Sequence, residues 1–556
     1  MRSDRRIPFL LIVLPFALLF LYIWLPAARI GFASDDFTHL VEDATRPWYQ
    51  SSDHLNRPLR NALFKILPSL FGLSPLPYRL LAFLFYALCA VLLFRFLREL
   101  MFQPPSALAV SLLFVFFPRN YEDLFFFAAF QDLVVACSIL LACTFWLHYL
   151  RTKRLGALTV SLVAYLLALG FKETSIGLPV VLYCLEFVGP SSTPSRNPSR
   201  ILSRYWPFLT VAVVYAAYVL FAGSASTSFN EEKGIYIHTS LLGLIPPLVR
   251  TLVNIILQFS PALSLRDLTP SESLLAAGGF LLIFFAAWVS RNLKVVAFSI
   301  CWFTVFALPT AAFARSVNAD RYLTLPYIGI LFMVAASLDR LHPMQLRTAF
   351  AVLLAVFVYG VAATSYWIKY REYFRASANE VDAVSSQAVL LANPASLPVN
   401  AELVLVNLTH SRQVGVFNNG VRGALIDKGL PRETRVIYRF ESDRKDHDEQ
   451  ALLHAFESCI PDHAGARSTV VLLSSHGQLK DVSGACATAI FEADRQRHPD
   501  VWIENLHNAS NQPQAPRSSA SPLCSLRQLR LLGRRPEPGL CARQSSGGLI
   551  FRSRAA

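Results

Sequence analysis

The run from Ile7 to Ala28 contains no charged residue. About 20 apolar residues suffice to cross the hydrocarbon core of a bilayer, so this run is long enough to span. Further apolar runs follow at roughly 76–94, 106–117, 124–148, 155–171, 175–188, 205–222, 273–290, 295–313, 323–338 and 348–368, several of them, notably 106–117 and 175–188, shorter than a full crossing. A backbone crossing lipid must satisfy its polar groups internally, which leaves helices or closed barrels, and runs of this length select helices. The expectation is an all-α polytopic membrane protein of about 11 transmembrane helices. The first run resembles a signal peptide with a small-residue site near Ala33, but its length and the runs behind it read as a retained anchor.

Hydrophobic residues make up 54% of the chain against 16% charged, so the charges are few enough to follow individually. Arg2, Arg5 and Arg6 precede the first run, and alternate short connections are also basic: Arg95/Arg98, Arg151/Lys153/Arg154, Arg196/Arg200/Arg204, Arg291/Lys294 and Arg340/Arg347. The positive-inside rule assigns these to the cytoplasm. The other connections, and the region after Ile368, then face outward. The expected location is a bacterial inner (plasma) membrane, with the candidate site and the C-terminal region outside the cytoplasm.

The net charge of +14 is not a nucleic-acid signature. From Asn508 onward the chain is rich in Ser, Pro, Gln, Gly and Arg, with eight Arg against the single acid Glu537. That composition reads as a disordered tail, and the cytoplasmic loops facing anionic lipid account for much of the remaining charge. No groove-reading motif appears. Three regions follow: a membrane unit over 1–375, a small soluble α/β domain over 376–507, and a basic tail over 508–556. Within the soluble region Glu402–Asn407, Arg435–Phe440 and Ser468–Leu473 read as strands, and Glu449–Ser458 as a helix. The segment 241–260 carries Arg250 at its middle and Pro246-Pro247 near its start, and reads as a helix lying in the interface. Cys459 and Cys486 are candidates to pair in an oxidising compartment, and no cysteine spacing suggests zinc.

The outward connections carry the chemistry. Asp35 and Asp36 stand directly after the first span, with His39, His54 and Arg57 further along the same loop. Adjacent carboxylates resist joint ionisation, which raises one pKa towards a general-base value. The second outward loop holds Arg119, Asn120, Glu122 and Asp123, with Gln131-Asp132 just inside the next span. The third holds Lys172-Glu173-Thr174, and the fourth Arg315, Asp320, Arg321 and Tyr322. Acids and bases converging at one membrane face suit a lipid-borne phosphate ester and an acceptor that must lose a proton. Arg and Lys would hold the departing phosphate while a carboxylate takes the proton.

The order of these motifs resembles the GT-C superfamily of integral-membrane glycosyltransferases. It runs from the acidic pair through Arg57-Pro58-Leu59 and Leu70-Phe71-Gly72 to Phe117-Pro118 with Glu122. Lys172-Glu173, Leu178-Pro179 and Arg321-Tyr322-Leu323 complete it. The resemblance covers roughly residues 1–370 and is nearest the protein O-mannosyltransferase branch with its TPR-bearing relatives, although no TPR repeat follows here. The lipid A aminoarabinose transferase is a more distant relation. It implies a GT-C-type bundle that transfers a sugar from a polyprenyl-phosphate donor to an extracytoplasmic protein hydroxyl, lipid or glycan. It implies Asp35 as general base with Asp36 beside it, and Arg57, Lys172 and Arg321 as donor-phosphate contacts. Glu122, Asp132, Glu173 and Tyr322 are supporting residues. Its partners are the polyprenyl-phosphate sugar, the acceptor and membrane lipid; no cofactor and no metal is expected.

Plainer readings stand beside these. The acidic pair is also compatible with a solvated loop, Arg57 and Arg321 with interface anchors, and Lys172-Glu173 with an ion pair capping a span. Asp132 near a span end needs a partner, for which Arg119 is available. A transporter or flippase of a lipid-linked anion would use similar residues, though nearer the midplane and usually with repeats. A non-catalytic membrane scaffold is the third alternative.

Overall fold

The structure is a computed structural model; it describes residues 9–45, 57–189, 198–224, 242–259, 268–311, 320–340, 346–397, 401–408, 420–440, 469–475 and 478–481. His54, the 449–458 helix, Cys459, Cys486 and the tail from 508 lie outside these residues. The chain forms two compact units, one of Met1–Phe32 with Glu42–Ala376, the other of Ala33–Val41 with Ser377–Ala556.

The first unit is helical throughout its described residues. Six helical stretches are long and apolar enough to cross a membrane: Pro75–Glu99, Phe127–Thr152, Pro270–Ser290, Leu293–Ala311, Asp320–Arg340 and Ala349–Ala392. These make the chain an integral membrane protein. Leu14–Ala27, Pro104–Val115, Leu155–Phe171 and Leu242–Ile256 are shorter apolar helices. The expected run at 106–117 becomes the 12-residue helix Pro104–Val115, about 18 Å long at 1.5 Å per residue and short of a full crossing on its own. The expected run at 175–188 begins as a 3₁₀ turn, Glu173–Gly177, and only then becomes the helix Leu178–Val188. The run at 348–368 lies within a single helix, Leu346–Ala392, which continues well past Ile368.

Helix starts follow local chemistry. Pro58, Pro75, Pro104 and Pro270 each open a helix, where the missing N–H costs nothing and φ is already set. Thr269 and Glu272 exchange hydrogen bonds in a capping box at the start of Pro270–Ser290. The helix Phe130–Thr152 is the most enclosed, with Leu133, Ala136, Ile139, Ala142, Cys143 and Trp146 all buried. By contrast Leu274, Leu281, Phe284 and Trp288 of Pro270–Ser290 are exposed, as befits a helix whose surroundings are lipid. Much of the phenylalanine goes into aromatic packing: buried Trp302 contacts the rings of Phe96, Phe298, Phe306 and Phe332, and its indole N–H reaches Leu325 O at 2.8 Å.

The second unit contains a four-stranded sheet of β1 (Glu402–Leu408), β2 (Arg435–Phe440), β3 (Thr469–Ser475) and β4 (Gln478–Asp481). The strand order is β2-β1-β3-β4, with β1 parallel to both neighbours and β3 antiparallel to β4. The helix Val421–Asp427 lies on the crossover between β1 and β2, as a parallel pair requires. Leu403 and Leu405 of β1 are buried on one face. The unit also takes in the end of the helix Leu346–Ala392 from Ser377 on, and the segment 33–41, which carries the short turn Asp35–Phe37 and the π-turn beginning at Thr38.

Candidate functional site

The first unit gathers three of its inter-helix connections, 119–132, 172–177 and 320–324, with the start of the helix Pro58–Phe71. Arg57 is the residue before Pro58 and is held at the helix entrance by that proline. Its guanidinium donates from Nε to Glu173 Oε2 at 2.8 Å and from Nη2 to Glu173 Oε1 at 2.9 Å, while Nη1 reaches Gln131 Oε1 at 3.1 Å. Burial alone would push the Glu173 carboxyl up; the charge and hydrogen bonds of Arg57 outweigh it and hold that carboxyl below its ordinary range.

Lys172 and Glu173 are consecutive but do not pair with each other. Lys172 is extended, with φ −160° and ψ 135°, a conformation that sends neighbouring side chains in different directions. Its ammonium forms a buried ion pair with Asp132 and stands 4.3 Å from the centroid of the Tyr322 ring. The partner that Asp132 needs is therefore Lys172 and not Arg119. Arg119 instead donates from Nη1 to both carboxylate oxygens of Asp320, at 3.0 Å each, and from Nη2 to Leu257 O at 2.9 Å. Tyr121 adds a 2.7 Å hydrogen bond to Asp320. Trp367 also fixes this loop by donating to Pro118 O at 2.9 Å.

Arg321 and Glu122 form a partly exposed pair, with side chains 15% and 17% exposed and a separation of 3.7 Å. The Arg321 amide also donates to Glu122 Oε2 at 3.2 Å. The Arg321 guanidinium lies 5.3 Å from the ring centroids of both Phe126 and Tyr322. Burial pushes the Glu122 carboxyl up to about 7, with the Asp320 charge adding to the rise and Arg321 opposing it. Asp123, beside it, is raised well above its ordinary value by burial and by the nearby Asp132 charge, and accepts a 2.7 Å hydrogen bond from Thr324. One carboxylate oxygen each of Asp123 and Asp132 is buried without a hydrogen-bond partner.

Thus Arg57, Glu122, Asp132, Lys172, Glu173, Arg321 and Tyr322 fall into one connected network. Asp123, Arg119, Asp320 and Gln131 belong to it as well. In the sequence Asp123 stands in the second charged connection, directly after Glu122 and directly before the apolar stretch Leu124–Phe127. Asp35 and Asp36 lie in the second unit, where Asp36 is buried and Asp35 partly so. Among the described residues no group of three or more His, Cys, Asp or Glu side chains gathers as a metal site requires.

The helical unit thus draws arginine, lysine and carboxylates together at its inter-helix connections, where they pair with one another. No protein-family model matches the chain and no curated protein matches it. Its structure is similar to the crystal structure of ArnT from Cupriavidus metallidurans in the apo state, with TM-score 0.50 and 15% identity over 83% of this chain and 92% of that one. ArnT from the same organism bound to undecaprenyl phosphate aligns over 83% of this chain and 93% of that chain, at TM-score 0.48 and 15% identity. The archaeal oligosaccharyltransferase AglB from Archaeoglobus fulgidus, in complex with an inhibitory peptide and a dolichol-phosphate, aligns over 86% and 74%, at TM-score 0.44 and 12% identity. The likeness to apo ArnT gives the fold, which is GT-C-like.

Proposed function

We propose that the protein transfers a sugar from a polyprenyl-phosphate donor to an acceptor outside the cytoplasm. The observation that carries this reading is Arg321. Its guanidinium is flanked by aromatic rings, partly open, and opposed by a carboxyl that titrates near neutrality. A planar guanidinium suits a phosphate oxygen pair, and a partner that neutralises readily is one a phosphate can displace. Arg57 and Lys172, already engaged with carboxylates, contribute by packing and by their field.

In this reaction the acceptor hydroxyl oxygen bonds to the anomeric carbon as the bond from that carbon to the phosphate oxygen breaks. The polyprenyl phosphate leaves with the electron pair, and the hydroxyl proton passes to a carboxylate. Asp35 is the proposed base and Asp36 its neighbour; a single displacement inverts the anomeric centre. One specific observation favours a second assignment of the base. Glu122, pushed up to about 7, has the affinity for a proton that general-base catalysis at neutral pH requires. The nearest relatives in reaction are taken to be the O-mannosyltransferase-like enzymes, and the membrane orientation is taken to follow the basic loops.

The deciding experiment incubates the purified chain in nanodiscs with undecaprenyl-phosphate sugars and measures released undecaprenyl phosphate. Mass analysis of polyprenyl-phosphate sugars accumulating on gene deletion names the donor. Asp35→Asn and Glu122→Gln then separate the two assignments of the base. Full turnover in Arg321→Ala would sink the phosphate role, and accumulation of an unmodified lipid-linked anion on one face of the bilayer would favour a flippase.

A further inference from the structure

The acidic segment 33–41 is packed inside the second unit by contacts made at two glycines. A Cβ built on Gly420 would meet Ser34 O at 2.0 Å and Phe37 Cβ at 3.2 Å. A Cβ on Gly423 would meet Phe37 O at 2.5 Å and Phe37 Cβ at 3.1 Å. Both obstacles include backbone atoms, which cannot rotate away. Neither glycine is there for a left-handed backbone: Gly420 has φ −90° at the helix N-cap, and Gly423 sits within the helix Val421–Asp427. Glycine is a poor choice inside a helix, where alanine is the best. What Gly423 supplies is the absence of a side chain, which lets the two backbones touch.

The segment needs such a hold. Ser34 has φ 55° and ψ −133°, a region that side chains rarely enter and that persists only where surrounding structure enforces it. That residue immediately precedes Asp35. From there the chain closes a tight turn, with Asp36 N–H donating to Ala33 O and Phe37 N–H to Ser34 O, each at 3.2 Å. The carbonyl that closes this turn, Ser34 O, is the atom pressed against Gly420. Phe37, Val421, Ala424 and Leu425 are buried at the contact, so the apolar side chains reinforce what the glycines permit.

We infer that the helix Val421–Asp427 is the clamp that fixes the direction of Asp35 and Asp36, with Gly420 and Gly423 as positioning residues. The small soluble domain is thereby a working part of the transferase, since it holds the carboxylate proposed to take the acceptor proton. This rests on the proposed reaction for its catalytic consequence, but not for its structural claim.

The test uses the full-length chain in nanodiscs and reads amide exchange and turnover separately. In Gly423→Ala, exchange of the 34–41 amides should rise by about tenfold or more, as expected for loss of a local contact. Exchange across Phe130–Thr152 should stay unchanged. Turnover of the polyprenyl-phosphate sugar should fall while the KM for the donor stays within about twofold, because the acceptor-activating group and not the phosphate site is displaced. Phe37→Ala approaches the contact from the other partner and should release the same amides with β1 and β2 still protected. It serves as the deciding variant should Gly423→Ala unfold the domain. Unchanged exchange over 34–41 in the folded variants overturns the clamp, and release without any fall in turnover overturns its part in the transfer. If the parent chain transfers no sugar, the functional reading fails, and the exchange result alone still decides whether the domain holds the segment.

Discussion

Arg57 and Glu173, 116 residues apart in the chain, are joined by two parallel hydrogen bonds of 2.8 and 2.9 Å. The pairing ties the entrance of Pro58–Phe71 to the turn that precedes Leu178–Val188. It also separates two consequences of one substitution. Arg57→Ala strands the Glu173 carboxylate, and because that side chain is 21% exposed the loss should stay below the roughly 3–5 kcal/mol of a fully buried pair. Arg57→Ala combined with Glu173→Gln should recover most of that stability by removing the stranded charge, whereas transfer should stay low if the guanidinium assists the leaving group. Arg57→Lys keeps the charge but loses the fork and should fall between. Thermal unfolding and turnover, measured on the same three variants, give the answer; recovery of both in the double variant would leave Arg57 a structural role only.

The same pair has a pH signature. The Glu173 carboxyl is held below its ordinary range, so it contributes stability that is fully present above the ordinary carboxylate pKa. That stability is lost as pH falls through the lower folded-state value. Glu173→Gln should flatten the acid limb of the unfolding-temperature profile, and an unchanged limb would show that other carboxylates set it.

Asp35→Asn preserves size and removes the proton acceptor, so transfer should fall by about 100-fold or more if Asp35 is the base. Asp36→Asn should also reduce it, since Asp36 is buried beside the turn that aims its neighbour. Parental turnover in a well-folded Asp35→Asn chain would move the role of base to Glu122.

How much of this was readable from the residues depends on the range of the interaction. Apolar run length is a local property, and helices appeared on those runs, the short runs at 106–117 and 175–188 giving short helices. The four charged connections were visible as clusters, yet their internal pairing was not. Lys172–Asp132, Arg57–Glu173 and Arg119–Asp320 join positions 40, 116 and 201 residues apart, and no periodicity links such positions. Adjacency even misled, because Lys172-Glu173 invites a mutual pair that an extended backbone forbids. β4 escaped notice since Gln478–Asp481 offers one apolar side chain, Leu479, in four residues. The contact between Gly420 and Ser34 has no local signature, because what it uses is a missing side chain.

Membrane orientation gives an independent check. With the basic loops inside, a cysteine at Arg154 should resist a membrane-impermeant maleimide in intact cells, while one at Asn379 should react; both positions are exposed in the structure. The five described native cysteines are buried or partly so and provide the background to subtract. The reverse labelling pattern would place the candidate site in the cytoplasm and exclude an extracytoplasmic acceptor.

The last prediction uses the carboxyl opposite Arg321. Glu122 titrates at about 7 against an ordinary 4.5, so between these values the folded chain binds a proton that the unfolded chain does not. Stability should therefore decline as pH rises through that window, and Glu122→Gln should remove this component of the slope. Donor binding should follow the same titration. Below about 7 the carboxyl is neutral and its hold on the guanidinium is weaker; above it, the carboxylate competes more strongly with a donor phosphate. The pair is partly exposed, so a coupling of roughly 1 kcal/mol is the upper expectation, a weakening of about fivefold across the transition. Binding of undecaprenyl phosphate to the nanodisc-embedded chain should weaken by that order between pH 6 and pH 8, which brackets the carboxyl's value of about 7. Glu122→Gln should bind with little pH dependence, near the low-pH affinity of the parent. Because binding is measured without turnover, the outcome does not depend on whether Glu122 or Asp35 takes the acceptor proton. An equal pH slope in the parent and Glu122→Gln would mean that the phosphate's own titration governs binding, and that Glu122 does not guard Arg321.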